Sequence, residues 1–156
     1  MERARPRIDR IKVNQSGRKS KPANVVFEPI TFRRRAGTHH RWSEIEPEQM
    51  NPLVTRQFVV GTKTMLARIV LKKGAHVPTH HHMHEQISHV VDGALEFRVD
   101  GKAVAVRAGE ILCIPPHIPH EVVALEDSVA LDIFNPPRQD WIDGDDAYLR
   151  GGSKVR

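Results

Sequence analysis

Cysteine is nearly absent from these 156 residues: Cys113 stands alone, so it can form no intramolecular disulfide and no thiolate cluster for zinc. Apolar runs of the roughly 20 residues that cross a bilayer are missing as well. The opening MERARPRIDRIK lacks the apolar core of a secretory signal. These absences predict a soluble, cytoplasmic protein with no membrane partner and no redox chemistry at cysteine. No repeat of solenoid length occurs, and the length predicts one domain with an ordinary core.

What is present is unevenly spread. The net charge of +5 divides into +9 over residues 1–41 and −4 over residues 42–156. The folded part is thus expected to be mildly acidic. The basic head, with Arg33-Arg34-Arg35 and little apolar periodicity, reads as a partly flexible solvated arm and not as a nucleic-acid-binding surface.

From Trp42 onward short β-branched, alternating segments are punctuated by Pro and Gly, the pattern of strands. Eight are expected: Val54–Val60, Thr64–Lys72, Glu85–Val91, Ala94–Asp100, Lys102–Arg107, Ile111–Ile114, Glu121–Leu125 and Val129–Phe134. Asp92-Gly93 and Asp100-Gly101 sit where tight hairpin turns would join neighbours. So many short strands must close or double over to hide their edges, which predicts an all-β jelly roll or small barrel over residues 42–138. The tail, 139–156, carries Trp141, Ile142 and Leu149 among acids and glycines, and is expected to pack on the barrel's outside.

Five of the ten histidines fall between His80 and His89. Imidazole is the commonest nitrogen ligand of transition metals. In an extended chain His80, His82 and Gln86 share one face and His81, Glu85 and His89 the other. Glu85 is a rival ligand to Gln86, and alternation points it away. Downstream, Pro115-Pro116-His117-Ile118-Pro119 forms a rigid loop that delivers His120 as a fourth ligand. For His81, His84 and His117 a plain surface position is an equal alternative.

With these residues in place the chain resembles a cupin. The family's first motif, G-x5-H-x-H-x(3,4)-E-x6-G, falls on Gly74, His80, His82, Gln86 and Gly93, with glutamine in place of glutamate. The second, G-x5-P-x-G-x2-H-x3-N, falls on Gly109, Pro115, His117, His120 and Ala124, with two letters changed. The resemblance implies a double-stranded β-helix and a divalent metal held by His80, His82, Gln86 and His120. Nickel, iron, manganese and zinc all suit such ligands. Loss of one carboxylate leaves the ion its full charge, strengthening it as a Lewis acid and weakening its retention.

The first-motif H-E-Q together with Asp132, Phe134 and Arg138 in D-x-F-x-P-P-R resembles small pectin-degradation cupins that open the ring of unsaturated uronates. That resemblance implies that Asp132, Phe134 and Arg138 lie near the metal and contribute to the active site; in the expected mechanism Asp132 moves a proton and Arg138 holds the substrate carboxylate. Structural alternatives stand beside it: Asp132 as a partner of Arg138 or Arg68, Phe134 as core, and Arg138 as an anchor of the tail. The expected activity is non-redox chemistry on a small sugar acid. A metal-dependent dioxygenase and a non-catalytic binding module are the alternatives, and a homodimer is the expected assembly.

Overall fold

Period-two alternation fixes which face of a central strand turns inward, and the fold has ten strands. In the computed structural model, which describes residues 37–150, they are β1 (Glu48–Asn51), β2 (Val54–Val60), β3 (Met65–Leu71), β4 (His76–His80), β5 (Glu85–Asp92), β6 (Ala94–Val99), β7 (Lys102–Arg107), β8 (Ile111–Ile114), β9 (His120–Ala124) and β10 (Ser128–Asn135). They form two antiparallel sheets, β1-β2-β3-β10-β5-β8 and β4-β9-β6-β7, as an all-β jelly roll requires. The basic head expected over residues 1–41 lies outside the described residues apart from 37–41, as do residues 151–156 of the tail. Among the described residues no helix is long and apolar enough to cross a membrane.

Register stacks the inward side chains of the six-stranded sheet into rows. One row runs Arg56, Ile69, Ala130, Val90; the next, Phe58, Ala67, Asp132, Ser88, Leu112; the third, Met65, Phe134, Gln86, Ile114. Polar groups therefore gather toward one end of an apolar floor. The four-stranded sheet answers with Leu95, Phe97, Val122 and Ala124, all buried. Burying such side chains is the main force holding the sheets together, about 25 cal/mol per Å² of apolar surface.

Two turns that look alike in sequence differ in structure. Asp100-Gly101, both at positive φ, joins β6 to β7 as a two-residue hairpin, Val99 facing Lys102. Asp92-Gly93 makes no hairpin, correcting that expectation: it carries the chain from β5 in one sheet to β6 in the other. Gly93, φ +77, passes so near β10 that a Cβ there would lie 2.3 Å from the Asp127 carbonyl oxygen. Close packing and a left-handed backbone both demand glycine.

β1 and β4 were not expected from the sequence. Both are edge strands; β1 is polar, and β4 contains Pro78, which a central strand would not tolerate. After β10 comes helix α1 (Gln139–Asp143), closed by Gly144 in the left-handed conformation. Trp141 on this helix is buried and lines the interior cavity. This places it within the wall of the fold, where the sequence reading had the segment outside: its ring meets Phe134 at 5.0 Å and Phe58 at 6.2 Å.

Candidate metal centre and its cavity

The three candidate imidazoles come from both motifs. His80 ends β4, His120 opens β9, and the register pairs them directly. His82 lies in the loop 81–84 that crosses from the small sheet to β5. The expectation of one extended chain from 80 to 89 is thus corrected: His80 and Gln86 stand on strands of different sheets, and His82 between them. Alternation does hold along β5, where Gln86 and Ser88 are buried and Glu85 is exposed.

Each imidazole is aimed by a backbone carbonyl. His80 Nδ1 lies 2.9 Å from Pro78 O, His82 Nδ1 3.1 Å from His84 O, and His120 Nδ1 2.8 Å from Ile118 O. A carbonyl only accepts, so Nδ1 carries the proton in every ring and Nε2 presents a lone pair. The backbone bond from His117 N to His82 O, 2.7 Å, ties the two ligand loops together. His117 takes φ +65 at the position where the family motif has glycine.

Ligand atoms of His80, His82 and His120 lie within 4.8 Å of one another. His120 is 1% exposed and its Nε2 has no hydrogen-bond partner among the described residues. His82 Nε2 stands 3.1 Å from Gln86 Oε1. With the proton on Nδ1 both atoms are acceptors, and two lone pairs that close repel unless a cation lies between them. Gln86 is held in this orientation because its Nε2 donates to Ser88 Oγ at 2.9 Å. Three imidazole nitrogens and an amide oxygen converging in this way fit a divalent transition metal.

Electrostatics keep the ligands neutral. Burial, reinforced by His120 and Arg138, pushes His80 down to about 4. Burial and then Arg138 push His82 to about 3, and burial likewise lowers His120 and His84. Neutral imidazole is the form that binds metal.

Beyond Gln86 the six-stranded sheet extends the polar chain. Ser88 Oγ donates to Asp132 Oδ1 at 2.6 Å. Asp132 retains surface toward the cavity but is enclosed on all sides by protein, and this desolvation raises its carboxyl to about 6 against the opposing pull of Ser88, Gln86 and Arg138. Phe134, 1% exposed, sets its ring edge to His82 at 5.7 Å. The structure thus brings Asp132, Phe134 and the four candidate ligands together. Arg68 instead donates to Gln57 Oε1.

Arg138 is 1% exposed, and its Nε and Nη2 grip the two oxygens of Asp140 at 2.9 and 2.6 Å, the contact expected of an anchor of the tail. Sequence reasoning passed over Ser88, Trp141 and Arg56, all part of this region. Ser88 had a signal: it stands two residues after Gln86, on the same face of the strand.

A cavity of about 70 Å³ lies between the sheets. His80, Gln86, His120, Asp132, Arg56 and Arg138 give its polar lining, and Ile69, Leu71, Leu95, Phe97 and Val122 are among its apolar lining.

Known proteins resemble this chain in sequence and fold. Residues 67–134 match the cupin domain family. The pectin degradation protein KdgF of Dickeya dadantii is 32% identical over 98 residues, 61% of this chain and 89% of that one. The polyketide synthase protein CurC of Streptomyces cyaneus is 29% identical over 98 residues, 59% of this chain and 64% of that one. KdgF from Halomonas sp. superposes with a TM-score of 0.65 at 30% identity, covering 68% of this chain and 99% of that structure. Fold, motif spacing and relatives agree, and the chain belongs to the cupin family, as a small cupin of the KdgF type.

Proposed function

We propose that this protein is a metal-dependent enzyme that promotes ring opening or isomerisation of a small sugar acid of the unsaturated uronate kind. The observation that carries the reading is the hydrogen-bonded row Gln86–Ser88–Asp132, which sets a carboxyl group of raised pKa beside a ligand cluster. The likeness to KdgF, described as a pectin degradation protein, supports it.

A divalent metal on His80, His82, Gln86 and His120 supplies Lewis acidity toward a ring or carbonyl oxygen. Asp132 accepts a proton from the substrate and returns it: a carboxyl near 6 is largely ionised at neutral pH yet basic enough to be efficient. Ser88 fixes Oδ1 of that carboxyl and leaves proton transfer to the other oxygen. Phe134 closes the wall behind His82. Arg138 anchors helix α1 through Asp140 and adds positive charge near Asp132. The cavity, about 70 Å³ and several times the space one water needs, opens beside the ligand cluster and takes a small acid.

The test is Asp132→Asn, assayed for unsaturated uronate turnover with metal content checked. Loss of turnover with metal retained is expected; an unchanged rate overturns the reading. A second reading is favoured by the apolar walls and by the likeness to CurC: a largely apolar carbonyl substrate. Turnover of such a compound and not of uronates would establish it, and oxygen uptake by the iron-loaded protein would point to a dioxygenase instead. We also propose a homodimer, because Leu66 and Ile133 pair side by side on the outer face of the large sheet and are exposed there. Light scattering at twice the monomer mass is the expected result.

A further inference from the structure

Arg56 is the one charged residue on the inward faces of β2 and β3; the others are Val54, Phe58, Met65, Ala67, Ile69 and Leu71. It is 2% exposed and lines the cavity. Its Nη2 contacts Glu48 Oε2 and Asp146 Oδ2, both at 2.6 Å. Its Nε and Nη1 are buried with no hydrogen-bond partner among the described residues. The guanidinium lies 4.3 Å over the Trp141 ring, and the indole Nε1 of Trp141 is buried and unpartnered too. Three nitrogens that can only donate are thus unmet on two residues that line the cavity. Unmet buried donors are costly and call for an acceptor, and a carboxylate offers the most lone pairs.

We propose that Arg56 and Trp141 form an anion subsite that holds the carboxylate of the substrate. The inference rests on the reading that the cavity takes a small acid, and it moves the carboxylate-holding role from Arg138, whose Nε–Nη2 edge grips Asp140, to Arg56. It also sets the substrate's direction. Arg56 is two strands from Asp132 in the sheet and one inward row away, about 12 Å between Cα atoms by strand geometry. The subsite therefore selects acids whose carboxylate and reacting oxygen lie at opposite ends of the molecule, and rejects neutral sugars.

Calorimetric titration of the zinc-loaded full chain with galacturonate and with galactose tests this. The wild type is expected to prefer the acid by about tenfold, the worth of one charge-assisted contact. Arg56→Gln should remove the preference, and Trp141→Phe, which keeps the ring but loses the N–H, should reduce it. Arg56→Lys, which keeps the charge but not the fork, should retain part of it. If Arg56→Gln fails to fold because Asp146 and Glu48 lose their partner, the other two variants decide. A wild type that binds galacturonate no better than galactose, or not at all, overturns the proposal. So does a preference that survives intact in Trp141→Phe and Arg56→Lys, or in a folded Arg56→Gln. Uronate turnover is read separately: Asp132→Asn should end turnover and leave the acid preference in place. An Arg56-dependent preference without turnover in the wild type would sink the enzymatic reading alone.

Discussion

In the four-stranded sheet the site rests on two imidazoles, His80 and His120, paired across neighbouring strands and each pinned through Nδ1 to a carbonyl two residues back. The six-stranded sheet offers no imidazole there; it offers an amide, a hydroxyl and a carboxyl in sequence, Gln86, Ser88 and Asp132. The first arrangement holds an ion without moving, because every freedom of the ring is spent on a backbone bond. The second orients one group that titrates, because Ser88 accepts from Gln86 and donates to Asp132. Gln86 belongs to both, with its oxygen toward the ligands and its nitrogen toward Ser88.

Mutations can break this division. His120→Ala removes a ligand the small sheet alone provides, and stoichiometric metal and all turnover should vanish together; elemental analysis with an activity assay checks it. Asp132→Asn should leave metal bound while turnover falls by about 10² to 10⁴. Loss of metal in that variant would show that the two sheets do not act separately. Ser88→Ala should cost about tenfold, with the acid limb of the pH–rate profile displaced while metal content stays put.

Acid should expose the contrast without mutation. In metal-free protein the folded-state pKa values of His80 and His82, about 4 and 3, lie below the ordinary 6.5. The unfolded chain therefore binds more protons in that window, and stability falls as pH drops from about 6.5 toward 4. Asp132, raised to about 6 from 3.8, acts with the opposite sign, its folded form taking a proton first. Two imidazoles with values this low, joined by His120 and His84, outweigh one carboxyl. Melting temperatures of the metal-free protein at pH 7 and pH 5 should show the net loss. The smallest effect is expected from His117→Gly: relief of the left-handed backbone, about 1–2 kcal/mol, less glycine's entropic cost of about 0.5–1 kcal/mol, should leave a net stabilisation of about 0.5–1 kcal/mol in denaturant unfolding.

Part of each sheet is legible in sequence, since β2 and β8 of the large sheet and β7 of the small one begin and end where expected. Asp132 and Phe134 on one face follow from spacing alone. β1 and β4 escape because edge strands need bury no full face, and their polar or proline-bearing residues carry no period. His82 is aimed by a carbonyl of its own loop, which alternation cannot foresee. Arg56 was legible in principle: it stands between Val54 and Phe58 at an inward position, a charge that calls for a reason. Asp140 as the partner of Arg138 depends on the turn into α1, where no strand or helix pattern reaches.

The cross-strand pairing of His80 with His120 makes the metal a reader of strand alignment. Were β4 to slip by one residue against β9, His80 would turn to the opposite face and the ligand set would fall apart. An ion that binds only the aligned form draws the population toward it in proportion to its concentration. β4, a proline-bearing edge strand with little apolar surface of its own to choose a register, thus receives from the metal the alignment that packing gives the central strands.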